Sequence, residues 1–196
     1  MSWVDNVIVN TKKTSNWEFV TFGSGGLSLG VFAAEGGKVV LKNPVSRQEE
    51  NFYYGGAGAG LALGLKLPKI GKVQINTRKG PLTAVGGPTA FPSKGTVLVT
   101  TGFVGDELTG NDIKGVCCFT EIGAGVIGGG SGCVMFVGLN PLILSCFGSA
   151  QLLGGLGTVA VISILLASAR GIILMAGANI GIQAQIGGAF YFGYLG

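Results

Sequence analysis

The last acidic residue of this chain is Glu121, and residues 122 to 196, 75 in all, contain one charged side chain, Arg170. An uncharged run of this length has two physical destinations, a protein core or a lipid phase. The charges that exist are concentrated ahead of it: residues 1 to 121 hold 12 Lys+Arg and 9 Asp+Glu, +3 of the overall +4. With 196 residues, the chain is long enough for a single domain with a core, spanning 1–196.

Glycine decides what kind of backbone carries this pattern. There are 38, without a collagen triplet and within a chain that is 47% apolar, too apolar for a disordered linker. The glycines therefore belong to ordered, close-packed backbone such as strands and tight turns. Period-two alternation supports strands. It runs through Trp17–Phe22 and Lys38–Lys42, the latter followed by a polar hairpin connection opened by Asn43-Pro44 and extending through Glu50. From Ala57 the odd positions are Ala, Ala, Leu, Leu, Leu and Leu up to Leu67, and the even ones are mostly glycine. Gly56, Gly60 and Gly64 also have the every-fourth spacing of a glycine zipper in a membrane helix. The strand has the better local support, because Gly58 breaks the helical pattern and a helix loses roughly 1 kcal/mol per glycine relative to alanine.

Further strands are expected at Lys72–Thr77, at Thr96–Phe103 and from Gly115 to Ile127, with a proline- and glycine-rich loop from Gly80 to Lys94 and a turn or short helical turn at Asp106–Thr109. Alternation resumes from Ile172 to Leu195, where Gln183 and Gln185 either line a polar lumen or face water. The expected architecture is mainly β, with strands mostly in 17–138 and 172–195. Eight or more strands form an antiparallel barrel or sandwich, enclosing or packing a short apolar helical hairpin at about 141–170. In that hairpin Asn140-Pro141 supplies an N-cap and first helical residue, Leu142–Leu153 the first helix and Gly154-Gly155 the break. Thr158 caps the second helix, Val159–Ala169, with Arg170 in its last turn and Gly171 as a left-handed stop.

Helices of about 12 residues span roughly 18 Å, short of a hydrocarbon core of roughly 30 Å. A continuous helix from Pro141 to Ala169 could cross, carrying Gly148, Gly154, Gly155 and Gly157 inside it. A hairpin buried in water that extends in lipid through this glycine hinge reconciles the two destinations. Arg170 is then either a functional cation in an apolar environment or a helix C-terminal cation meeting the dipole. A soluble barrel filled by the hairpin and a constitutive outer-membrane barrel are the competing pictures.

Absent residues narrow the chemistry. With no histidine, a Ser-His-Asp triad, a Cys-His dyad and His-ligated metal sites are excluded. Glu49-Glu50 and Asp106-Glu107 are adjacent carboxylates, but sequence neighbours on a strand point apart, so they are expected to be solvated loop charges. Cys117, Cys118, Cys133 and Cys146 have no CxxC spacing, and the vicinal pair would lie on opposite faces of a strand, which implies buried free thiols. No enzyme activity, metal or cofactor is expected. The basic residues are spread rather than clustered, which argues against nucleic acid. The N-terminal residues lack the layout of a Sec signal, so a cytoplasmic location in the producing cell is expected.

The stretch Asn51–Pro68 (NFYYGGAGAGLALGLKLP), the loop Gly87–Ser93 (GPTAFPS) and Leu174–Gly181 (LMAGANIG) resemble small glycine-rich, Hcp-dependent pore-forming effectors of type VI secretion in Pseudomonas. The resemblance implies an antibacterial toxin carried inside the Hcp tube protein and secreted without a signal peptide. It would insert into the target inner membrane as an ion-conducting pore, with a cognate immunity protein in the producer. Gly56, Gly60 and Gly64 match the glycine-zipper feature of such toxins. The competing reading from the residues is a soluble β-barrel binding module for a lipid or other apolar ligand.

Overall fold

The computed structural model describes residues 7–29, 32–59, 72–77, 80–85, 94–122, 130–143, 158–178 and 190–196. The described strands are β1 (Thr11–Thr14), β2 (Glu18–Leu29), β3 (Phe32–Lys42), β4 (Glu49–Ala59), β5 (Lys72–Thr77), β6 (Gly80–Val85), β7 (Lys94–Thr100), β8 (Gly115–Ile122), β9 (Gly130–Val137), β10 (Gly171–Ala178) and β11 (Phe190–Leu195). Among the described residues the longer helical segments are α1 (Gly110–Ile113) and α2 (Thr158–Ser168), and residues 7–9 and 142–143 are also helical. Nine strands form one antiparallel sheet in the order β1-β7-β10-β9-β8-β11-β4-β3-β2, and β5 and β6 pair separately.

Connectivity curls the large sheet. Its two outermost strands, β1 and β2, are consecutive in the chain and separated only by Ser15, Asn16 and Trp17. Four Cα steps reach at most about 15 Å, so one end of the sheet has to bring its edges together. Phe19 of β2 accordingly packs against β7, where a side chain at Gly95 would collide with its ring.

The curl separates two apolar cores. One joins Trp17, Val39, Leu41, Phe52, Val97, Val99, Phe119, Met135 and Ile173, from strands as far apart in the sheet as β3 and β7, and is therefore the concave interior. The other joins Cys118, Val134, Phe136 and Ile172, on neighbouring strands, with Val161, Ile162, Leu165, Leu166 and Ala169 of the α2 region, and is the convex outside. Alternation along β8 sends Cys117 to the first and Cys118 to the second, as expected of a vicinal pair in a strand.

The antiparallel β architecture matches the expectation. Of the two expected placements of the helical segment, enclosed or packed against the sheet, the described helix takes the second, on the outside, and the interior is filled by the strands' own aromatic and branched residues. Two local details differ. The stretch expected as a loop from Gly80 begins with a strand, because β6 pairs residue for residue with β5, from Thr77 opposite Gly80 to Lys72 opposite Val85. Gly171 opens β10 and is not among the described positive-φ residues. Glycine is needed there for contact, since a Cβ would come 2.7 Å from Leu108 Cδ1 and 3.2 Å from the Leu98 carbonyl. Gly56 lies in a strand, paired with Gly193 of β11, in keeping with the strand reading, which has the better local support. Gly60 and Gly64 lie outside the described residues.

Candidate functional site

The uncharged block is the connection between two adjacent strands. β9 ends opposite the start of β10, with Val137 paired to Gly171, so residues 138–170 form an excursion from a β-hairpin whose two stems stand side by side. The ladder on either side is complete without it.

Polar contacts pin both stems. On the outgoing side Leu139 N–H donates to the Val116 carbonyl at 2.9 Å, and the Asn140 side chain accepts from Leu142 N–H at 3.0 Å, as an Asn N-cap before Pro141 requires. On the returning side the Thr100 hydroxyl donates to the carbonyls of Ala169 and Arg170, and Arg170 N–H donates to the Val137 carbonyl at 3.0 Å. The helix end is thus capped by Thr100.

The Arg170 guanidinium goes elsewhere, to Asp112 Oδ1 at 2.7 Å. It is half exposed, so it is the partly exposed helix-terminal cation, yet its partner is a carboxylate of the charged half. Asp112 is fixed by α1, whose capping box has Thr109 N–H and Oγ1 donating to Asp112 Oδ2. Burial pushes the Asp112 carboxyl up; the two Thr109 bonds and the Arg170 charge outweigh it and hold it below its ordinary 3.8. Gly138 completes the node. Its φ is +61°, and a Cβ there would overlap the Asp112 carbonyl and touch the Arg170 side chain at 3.0 Å, so only glycine fits beneath the pair.

The helix of the excursion is uncharged on every side. Val161, Ile162, Leu165, Leu166 and Ala169 face the sheet, while Ala160, Ser163, Ile164 and Ala167 occupy the opposite face without a charge. A helix with no charged face suits burial or lipid better than water. Pro141 and Leu142 are exposed, Leu142 at 72%. Gly148, Gly154, Gly155 and Gly157, the expected hinge, lie outside the described residues, as do Gln183 and Gln185. No described helix is long and apolar enough to cross a membrane.

Glu107 differs from its expectation as a solvated loop charge. Its carboxylate accepts from the Ser15 hydroxyl, from Asn16 N–H at 3.0 Å and from Leu108 N–H at 3.1 Å, and pairs with Lys13 at 3.4 Å. Burial raises its pKa, and these four partners together bring it below the ordinary 4.5. Beside it Trp17 Nε1 donates to the Leu108 carbonyl at 2.7 Å. The loop before α1 thus clasps the residues 15–17 that join the sheet edges. The Thr109-x-x-Asp112 spacing carries a capping-box signal that the expected turn at Asp106–Thr109 does not use; for the partners Arg170 and Ser15, 58 and 92 positions away from Asp112 and Glu107, there is no local signal.

Among the described residues, which leave out Cys146, cysteine chemistry is suppressed. Burial pushes the Cys117 thiol up to about 12, and burial together with Cys117 pushes Cys118 well above its ordinary value. Cys117, Cys118 and Cys133 are free and buried. Among the described residues, no group of three or more His, Cys, Asp or Glu could hold a metal ion.

The chain is 41% identical over 184 residues, covering 92% of its own length and 93% of its relative, to a protein of Pseudomonas aeruginosa named toxin protein Tse4. No protein-family model and no solved structure matches it.

Proposed function

Because this chain belongs to the family of the toxin protein Tse4, we propose that it is an antibacterial toxin of a type VI secretion system that permeabilises the inner membrane of the target cell by forming ion-conducting pores. It travels in the Hcp tube protein and is held harmless in the producer by a cognate immunity protein. The observation that carries the membrane step is the construction of the excursion. Residues 138–170 leave and re-enter the sheet at one register pair, Val137–Gly171, so α2 can move from the outer face into lipid without breaking the ladder between β9 and β10. What holds them is side-chain burial of α2 and the node at Gly138, Asp112 and Arg170. A ligand-holding barrel would need space where Phe52, Phe119 and Met135 fill the interior, each with no exposure.

The experiment is depolarisation of lipid vesicles loaded with a potential-sensitive dye, with growth of cells directing the protein to the periplasm as the parallel readout. Loss of the dye-reported potential and a growth defect are expected. Intact potential at every lipid composition, together with normal growth, rejects the pore. The double substitution Gly154→Pro and Gly155→Pro should abolish leakage while leaving near-ultraviolet circular dichroism unchanged; full leakage with an intact fold removes the hinge from the mechanism.

A further inference from the structure

The outer cluster takes in the chain that leads into β1. Val7, on a helical turn at residues 7–9, is buried and belongs to the same cluster as Val161, Leu166 and Ala169 of the α2 region. Its carbonyl accepts from the Thr11 hydroxyl at 2.7 Å, and the Asn10 carbonyl accepts from Thr101 N–H at 2.9 Å. Thr11 is in turn the register partner of Thr100, whose hydroxyl caps the carbonyls of Ala169 and Arg170 at the end of the helix. The turn 7–9 is therefore joined to the returning stem of the excursion twice, through this relay and through shared apolar burial.

Burial of Val7 leaves its neighbours outside. Ile8 and Val9 are 67% and 64% exposed. Leu142, next to the partly buried Ile143, and Ile164, next to the buried Leu165, likewise face outward from segments whose inward side is the outer cluster. No charged residue occurs in 7–11, 139–143 or 158–169, and the cations that border them, Lys12 and Arg170, are tied to Asp106 and Asp112. The other large aliphatic side chains exposed among the described residues, Val20, Val45 and Val104, each have a charged residue two positions away. A protein interface needs hydrogen-bonding groups around its apolar centre, and here the bordering cations are already engaged within the chain. The acyl boundary of a bilayer needs none, and takes up exposed apolar side chains on an uncharged turn.

We propose that the turn 7–9 is a lipid-sensing latch on α2. Ile8 and Val9 enter the acyl boundary of a bilayer, and because Val7 belongs to the same turn, their entry draws it out of the outer cluster and removes part of the packing that holds α2 and the stem at Ala169. The proposal rests on the membrane reading above and adds its point of first contact and its trigger. Because the contact is apolar, a bilayer of phosphatidylcholine alone suffices, and salt has little effect on it.

The test is flotation of the full chain with vesicles of phosphatidylcholine, at low and at high salt. Binding is expected in both. Ile8→Ser and Val9→Ser combined should weaken partitioning, by roughly tenfold for each side chain withdrawn from lipid. Val45→Ser, at the still more exposed Val45 of the β3–β4 turn, should partition like the unaltered protein. Equal binding of the Ile8→Ser, Val9→Ser variant and the unaltered protein, an equal loss with Val45→Ser, or binding that needs phosphatidylglycerol and vanishes in salt overturns the proposal. So does a dimer in water, seen by sedimentation, that the Ile8→Ser, Val9→Ser variant dissolves, since the surface is then an interface between copies. The latch itself is read in water at Cys118, buried in the outer cluster, in a variant where it is the only cysteine. Adding Val7→Ala should raise its labelling by N-ethylmaleimide several-fold while Cys117, alone in the matching variant, stays protected. Unchanged labelling of Cys118, or an equal rise at both thiols, overturns the latch. A protein that floats through Ile8 and Val9 but never depolarises vesicles refutes the pore alone; one that depolarises them equally fast with Ile8→Ser and Val9→Ser in place refutes the latch alone.

Discussion

At the scale of single residues, two carboxylates hold the clamped end and two glycines set how closely its backbone packs. Glu107 holds the sheet edges together through Ser15 and Asn16, and Asp112 holds the returning stem through Arg170. Replacing Glu107 by Gln leaves Lys13 without its ion partner and weakens three hydrogen bonds; a loss of about 1–3 kcal/mol in urea unfolding is expected. Both carboxyls titrate below their ordinary values, so their contribution is complete above the unfolded-state values near pH 4 and is lost as pH falls through the lower folded ones. Unfolding free energy measured against pH should therefore drop on the acid side, and the variant combining Glu107→Gln with Asp112→Asn should show a flatter acid limb. Gly193 faces Gly56 so closely that a Cβ at 193 would overlap the Gly55 carbonyl. Gly193→Ala should cost roughly 1–3 kcal/mol by forcing β11 from β4, read as a lowered melting temperature.

At the scale of elements, α2 is held by packing rather than by charge. Leu165 and Leu166 are fully buried against the outer face of the sheet. Leu166→Ala should destabilise the folded chain by about 2–5 kcal/mol and, on the proposed mechanism, shorten the delay before vesicle depolarisation; a longer delay would mean that α2 need not leave the sheet. Strands were legible wherever alternation was strong, in β2, β3, β8 and β10, whereas the alternation from Ala57 meets β4 only at its last three residues. β6 was hidden because Pro81 and the glycines around it carry turn signals, and it is a strand through pairing with β5. β1 is four residues of TKKT, mostly exposed and without apolar periodicity, and only its ladder with β7 defines it.

At the scale of the whole molecule, Cys117 and Cys118 report on the two sides of the sheet, since one lies in the interior core and the other in the core shared with α2. In water, single-cysteine variants retaining either residue should both resist N-ethylmaleimide. Upon addition of phosphatidylglycerol vesicles, Cys118 should become reactive while Cys117 stays protected. Labelling of both together would indicate that the sheet opens, and labelling of neither that the excursion stays in place.

The sequence by itself determined that the chain is β-rich, that its glycines belong to packed backbone, that histidine chemistry is closed to it, and that an apolar block begins at an Asn-Pro cap and ends at Arg170. These properties are local, written in period, propensity and composition. Tertiary structure decided the rest: that α2 packs on the outside of the curled sheet, that Arg170 belongs to Asp112, and that Glu107 clasps the edges. Each depends on antiparallel register and closure, which bring together residues tens of positions apart, and no local pattern encodes which distant partner a strand edge or a charge will meet.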